Sequence, residues 1–350
     1  MKIRNYLLII LIVLIASAAF LTLNSNNPVA ESKENVSVAV TGDVMFARNM
    51  VNVLSLEVSP FRGVSNVTSA ADLLLINFEN AATTSGDALK GDVALKCNPS
   101  YVPLAKANNN TVAGLANNHA LDYGIVGMND TIVNLENTGI TTLGAGNSED
   151  EAHECVVKDI NGRKITILNY MDSENFAEYS YNTMPYANGT NPGYSAYDSE
   201  DALKQISENN DSDLIIAYMH FGNEYSTSPN ENQVRIAHEL IDYGADVVIG
   251  SHPHVPQGIE TYNGKPIFYS LGNFIFDQSN PATHVAYFVK IDLVNSTGEC
   301  TVYPIYISNY LPQFMDAESG KSLLNGLTPL SDNVEITGDG VGKLNFNLTD

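Results

Sequence analysis

Seven residues able to bind a metal follow short apolar runs in this chain: Asp43, Glu79, Asn118, His119, His220, His252 and His254. Carboxylate, amide oxygen and imidazole are the donors that hold borderline and hard divalent ions such as Zn, Mn or Fe. The densest group lies in Val247–Gln278, where Val247-Val248-Ile249 leads through Gly250-Ser251 into His252-Pro253-His254. A buried strand ending there places both imidazoles just past its carboxyl end, where open α/β sheets carry their chemistry. Pro253 favours an extended His252, and on an extended segment residues i and i+2 face one point.

Each residue alone also has an ordinary structural reading. Asp43 serves equally as a cap, Glu79 and Asn118 as partners of loop amides, and His220 as a satisfied core histidine. Their shared placement argues for a site, because a sheet gathers strand ends along one edge. Ser37–Thr41, Ala71–Ile76, Thr111–Leu115, Asp213–Met219 and Val247–Ile249 read as the strands that deliver them. Helices are expected at Asp122–Asn137, closed by Gly139, at Ser199–Asn209, and at Glu231–Tyr243, ended by Gly244. Asn161-Gly162 predicts a hairpin within Cys155–Tyr170, and Val285–Val294 pairs with Cys300–Ile307 around another turn. Asp172–Tyr197 reads as a long loop near the site. The last forty residues are weakly patterned, with the final ten expected to be partly loose.

The chain has 350 residues, 44% hydrophobic, with 40 acidic against 17 basic residues and a formal charge of -23. Without a basic stripe to neutralise phosphates, nucleic acid is excluded as a partner. Cys97, Cys155 and Cys300 are too scattered for a thiolate metal site or a disulfide framework, and read as structural. Lys2 and Arg4 precede an uncharged run from Tyr6 to Leu23, long enough to cross a ~30 Å bilayer core. The expectation is a single-pass anchor over 1–23 with the rest outside the cytoplasmic membrane. Ala16-Ser17-Ala18-Ala19 also suits signal cleavage and secretion. A polar linker over 24–35, a domain over 36–310 and an extension over 311–350 complete the expected organisation.

The order of these residues resembles the calcineurin-like metallophosphoesterase superfamily, and more closely the CapA-type poly-γ-glutamate capsule synthesis proteins. The resemblance lies in Gly42-Asp43-Val44-Met45 with Arg48, Ala116-Asn117-Asn118-His119-Ala120-Leu121-Asp122-Tyr123-Gly124 and His220-Phe221-Gly222-Asn223-Glu224-Tyr225. Gly250-Ser251-His252-Pro253-His254 and Tyr269-Ser270-Leu271-Gly272-Asn273-Phe274 complete it. It implies an α+β fold, a two-sheet β sandwich flanked by helices, with one or two metals near a sheet edge. It further implies that Glu79 bridges the metals, that Asp43 and His254 hold the first, and that Asn118, His220 and His252 hold the second. His119 becomes the general acid that protonates the leaving group. Arg48, Glu224, Asn273 and Asp277 are candidates for substrate contact or for supporting the ligands. Two departures stand out: Met45 occupies a position where phosphoesterases of the superfamily place a histidine, and Glu79 replaces their bridging Asp. Both changes are typical of the CapA type.

The resemblance implies a metal-dependent hydrolase or transferase acting on an anionic envelope polymer, with membrane synthase subunits as partners. The competing expectation is a non-catalytic subunit that binds or exports the polymer.

Overall fold

Six strands carry the polar residues named above: β1 (Val36–Val44), β2 (Leu73–Phe78), β3 (Thr111–Gly114), β4 (Leu214–His220), β5 (Val247–Ser251) and β6 (Asn273–Ile275). The computed structural model describes residues 34–173 and 186–348. The expected anchor over 1–23 lies outside the described residues, as do most of the linker and residues 174–185 of the expected long loop. No helix among the described residues is long and apolar enough to cross a membrane.

Strands β1, β2 and β3 and the Thr141–Leu143 strand run parallel in that order. On its other side β1 pairs antiparallel with Val285–Val294, and the sheet continues through Thr297–Ser308 and Gly342–Asn347 to Glu335–Ile336. With β6 beside the end of β1 and Leu311–Phe314 on Thr297–Ser308, this sheet has ten strands. The second sheet has six. Its β4 lies between β5 and Arg163–Met171, parallel to both. Both sheets are mixed, and the fold is α+β.

Period-two alternation explains the layering. In β4, Leu214, Ile216 and Tyr218 point into a core shared with Val36, Val38 and Val40 of β1, so the two sheets pack face to face. The alternate residues Ile215, Ala217 and Met219 pack against Ile236, Ala237, Leu240 and Ile241 of helix α2 (Glu231–Tyr243). Behind the first sheet, Ala39, Leu74 and Ile76 meet Met128 and Leu135 of helix α1 (Gly124–Asn137). Helix α2 begins with a reciprocal capping box between Asn230 and Gln233 and ends at Gly244, which adopts a left-handed φ of 116°.

Two expectations change. The second strand, expected to end at Ile76, extends to Phe78, so Asn77 lies inside the sheet. The segment after 310 is woven into the first sheet, and Gly342–Asn347 pairs with Thr297–Ser308 instead of lying loose. Leu344 and Phe346 bury against the inter-sheet core, an alternation too short to stand out from its polar neighbours.

Where β1 bends towards the site, the backbone of Gly42 approaches that of Gly272. A Cβ on Gly42 would lie 1.8 Å from the Gly272 carbonyl oxygen, an overlap that backbone cannot yield to cheaply. Gly42→Ala is therefore expected to cost roughly 1–3 kcal/mol or more in urea unfolding. Gly326→Ala, where an added Cβ meets nothing within 4 Å, should stay within about 0.5 kcal/mol.

Candidate metal centre

Asp43, at the end of β1, lies in register with Asn77 of β2 on one side and Asn273 of β6 on the other. The Asn77 amide donates to Asp43 Oδ1 at 2.8 Å and to Glu79 Oε2 at 3.0 Å, so one side chain holds both carboxylates. Asn117 fixes that amide in turn, donating to Asn77 Oδ1 and to the Phe78 carbonyl, both at 3.0 Å. It also accepts the His119 N–H. Asp43 and Glu79 are completely buried.

From the second sheet, His220 ends β4 and packs against His252, their ring centroids 4.7 Å apart. His220 Nε2 lies 3.1 Å from Asn118 Oδ1 and 3.0 Å from His252 Nδ1. The extended His-Pro-His geometry expected from sequence does not form. The strand ends at Ser251, and His252 and His254 take positive φ values of 98° and 61°. The chain turns there, and the two imidazoles take different partners. His252 meets His220, whereas His254 Nδ1 lies 3.2 Å from Asp43 Oδ2 and 2.9 Å from Asn273 Oδ1.

Burial, followed by the neighbouring His252, pushes His220 well below the usual histidine range. Burial, then His254, lowers His252 to about 4. Both rings are thus neutral at neutral pH, the form that ligates metal. For His254 burial acts downward, but the bond and charge of Asp43 outweigh it and raise the imidazole. Asp43 is correspondingly lowered, burial being opposed by His254 and Asn77. Glu79 moves the other way, raised well above the carboxylate range by burial and then by Asp43.

These residues fit a divalent cation. Asp43, Glu79 and His220 each bring a ligand atom within 4.8 Å of one another. Glu79 Oε1 is buried without a hydrogen-bond partner, 4.0 Å from both His119 Nε2 and His254 Nε2. Ser251 Oγ lies 3.1 Å from His220 Nδ1 and donates to the Met219 carbonyl, so it accepts the Nδ1 proton. In that tautomer the His220 Nε2 lone pair, beside Asn118 Oδ1, is available to the His252 Nδ1 proton or to a cation. Met45 takes no part: it is fully buried in the core behind the first sheet, and its sulfur accepts the Ala47 N–H at 2.9 Å.

His119 closes the site. Its Nδ1 bonds Asp122 Oδ2 at 2.6 Å, leaving Nε2 on the Glu79 side. Burial lowers this imidazole despite the adjacent Asp122 charge. Lys90 lies 3.1 Å from Asp122 Oδ1 and donates to the Asn118 carbonyl, so the His119 turn is braced from below. A cavity of about 200 Å³ opens over the centre, lined by Arg48, Lys90, Asn118, His119, Glu224, Tyr225, His254, Phe276 and Gln278, with Val93 and Leu95 at its wall. Arg48 and Asp277 pair with each other, Nη2 to Oδ1 at 2.5 Å, and Asn273 supports His254. Sequence reasoning assigned no role to Asn77, Asn117, Asp122 or Lys90. The alternation of Asn77 with Glu79 and the His119–Asp122 spacing were available signals, whereas Lys90 comes from a loop with no pattern.

Residues 37–278 match the family described as bacterial capsule synthesis protein PGA_cap. The chain is 34% identical over 328 residues to the PGA biosynthesis protein CapA of Bacillus subtilis (strain 168), covering 91% of this chain and 83% of that one. It is 30% identical over 292 residues to the capsule biosynthesis protein CapA of Bacillus anthracis, covering 80% and 69% respectively. Among solved structures, the calcineurin-like phosphoesterase YfkN from Bacillus subtilis aligns with 81% of this chain and 88% of its own, at 14% identity and a TM-score of 0.40. That likeness is too distant to transfer residue roles.

If the cluster binds a cation, Mn or Zn should stabilise the full-length protein. At a hundredfold excess over Kd the gain is about 2.7 kcal/mol, read as a rise in Tm. His220→Ala should remove most of this gain, measured against the variant's own metal-free Tm, which loss of the buried ring itself lowers. A wild-type Tm indifferent to every divalent ion would refute the assignment.

Proposed function

The chain belongs to the bacterial capsule synthesis protein PGA_cap family, and from that premise we propose an extracytoplasmic, metal-dependent hydrolase or transferase acting on poly-γ-glutamate or a related anionic envelope polymer. We place it on the membrane through the 1–23 segment, beside the synthase subunits that make the polymer. The observation that carries the reading is Glu79, whose buried Oε1 lacks a hydrogen bond although it lies 4.0 Å from both His119 Nε2 and His254 Nε2. A two-sheet arrangement with its polar strand ends at one edge accords with a metallophosphoesterase-like architecture.

In this reading Glu79 bridges two positions. Asp43 and His254 serve one, and Asn118, His220 and His252 the other. A divalent ion bound there supplies Lewis-acid polarisation of the reacting group and offsets the buried negative charge. Asn77 keeps the two carboxylates from rotating away. Asp122 accepts the His119 Nδ1 proton and so fixes the direction of Nε2. To act as general acid the ring first takes up a second proton at Nε2, an imidazolium that the adjacent Asp122 charge stabilises, and then delivers that proton to the leaving group. Val93, Leu95 and Phe276 make the cavity wall apolar and limit water around that transfer.

A second reading is a polymer-binding subunit without turnover. It is favoured by Met45, whose burial in the core leaves the Asp43 position with fewer donors than the His220 position.

Two experiments test this function. In a polymer-producing strain, His119→Ala should change polymer length or yield by several-fold, whereas unchanged polymer would favour binding over catalysis. The protein should fractionate with membranes and be digested by protease added to intact cells. Recovery from the culture medium with a new N-terminus near Ala19 would instead establish secretion.

A further inference from the structure

Two groups on the cavity wall have unused capacity of opposite sign. Asp277 Oδ1 accepts from Arg48 Nε at 3.0 Å and from Nη2 at 2.5 Å, and the guanidinium carbon sits 5.6 Å from the centre of the Phe276 ring. Arg48 is thereby fixed in orientation while its side chain remains 42% exposed, and Nη1 has no protein acceptor among the described residues. Glu224 lines the same cavity; Tyr225 bonds it and its charge acts on His252 and His254, but among the described residues no Lys, Arg or His is close enough to form an ion pair with it. Lys90, the other cation of the wall, is engaged by Asp122 and the Asn118 carbonyl.

We infer that this cavity takes the amino end of a chain, where one carbon bears both an ammonium and a carboxylate: Glu224 receives the ammonium and the free edge of Arg48 the carboxylate. The inference rests on the polymer reading above and narrows it. In a γ-linked glutamate chain every internal nitrogen is spent in an amide, so an internal residue offers only its carboxylate. The first residue alone carries both charges. At about 200 Å³ the cavity is smaller than the ~300–1,000 Å³ usual for ligand pockets, and has room for a terminal residue rather than a run of them. The charge of -23 works in the same direction. An acidic protein repels the body of a polyanion, whereas an end bearing an ammonium enters against less opposition.

The test is calorimetric titration of the full-length protein, in buffer containing Mn, with a γ-linked glutamate trimer, the same trimer acetylated on its amine, and free glutamate. Acetylation should weaken binding by about ten- to a hundredfold, the range for losing one charged hydrogen-bonded contact. Glu224→Gln should abolish that difference, and Arg48→Met should weaken both trimers. Equal affinity for the two trimers in the wild type overturns the inference and leaves the polymer reading standing. So does discrimination that survives Glu224→Gln. Free glutamate binding as tightly as the trimer assigns the site to a free amino acid and also overturns it. Failure of both trimers to bind removes the polymer reading, and this inference with it. The wild-type comparison decides even if a variant fails to fold.

Discussion

Two carboxylates, Asp43 and Glu79, are buried side by side with no solvent on either. An uncompensated charge in such a place costs several kcal/mol, so the surroundings must supply charge, hydrogen bonds or a proton. All three are present. Asp43 stays ionised against His254, Glu79 is driven towards its protonated form, and the Asn77 amide is shared between them. The remaining Glu79 oxygen, like Asp43 Oδ2 beside it, has no hydrogen-bond partner. Native proteins rarely keep such a group without a use for it.

The two-sheet architecture follows from the need to bring donors of distant sequence position to this point. β1 and β2 contribute the acids, and the turn after β3 contributes Asn118 and His119. The second sheet contributes His220 from β4 and the two histidines past β5. The sheets must therefore keep their relative position for the site to exist. The inter-sheet core of Val, Ile and Leu fixes that position broadly. Tyr218 does so at the site itself, its hydroxyl crossing from β4 to bond the Thr41 carbonyl of β1 at 2.7 Å. Gly42 lets β1 and the Gly272 turn touch where Asp43 must meet Asn273.

Much of this was legible in the sequence because it depends on period. The strands showed as short β-branched runs, and helix α2 is bounded where its pattern and Gly244 place it. The hairpin turns at Asn161 and Gly162, both with positive φ. What was not legible depends on backbone turns and long-range pairing. No local rule foretells that His252 and His254 leave the strand through positive φ and part company. Nor does one foretell that Arg48 finds Asp277, more than two hundred residues later, to form a rigid guanidinium. Lys90 carried no signal because its role is set by Asp122 and Asn118, which approach it only after folding.

The two halves of the centre differ in what a cation must do on entry. Around His220, His252 and Asn118 the donors are neutral and already within hydrogen-bond distance of one another, so a cation entering there displaces at most one neutral hydrogen bond. Around Asp43 and His254 the donors are already joined as an ion pair, braced by Asn273 and Asn77. A cation there has to replace an interaction that is satisfied, and Met45 lies in the core and adds no further donor. If cations enter the centre, the two positions are therefore not equivalent: one is closed by the His254–Asp43 pair, whereas the other offers neutral imidazoles.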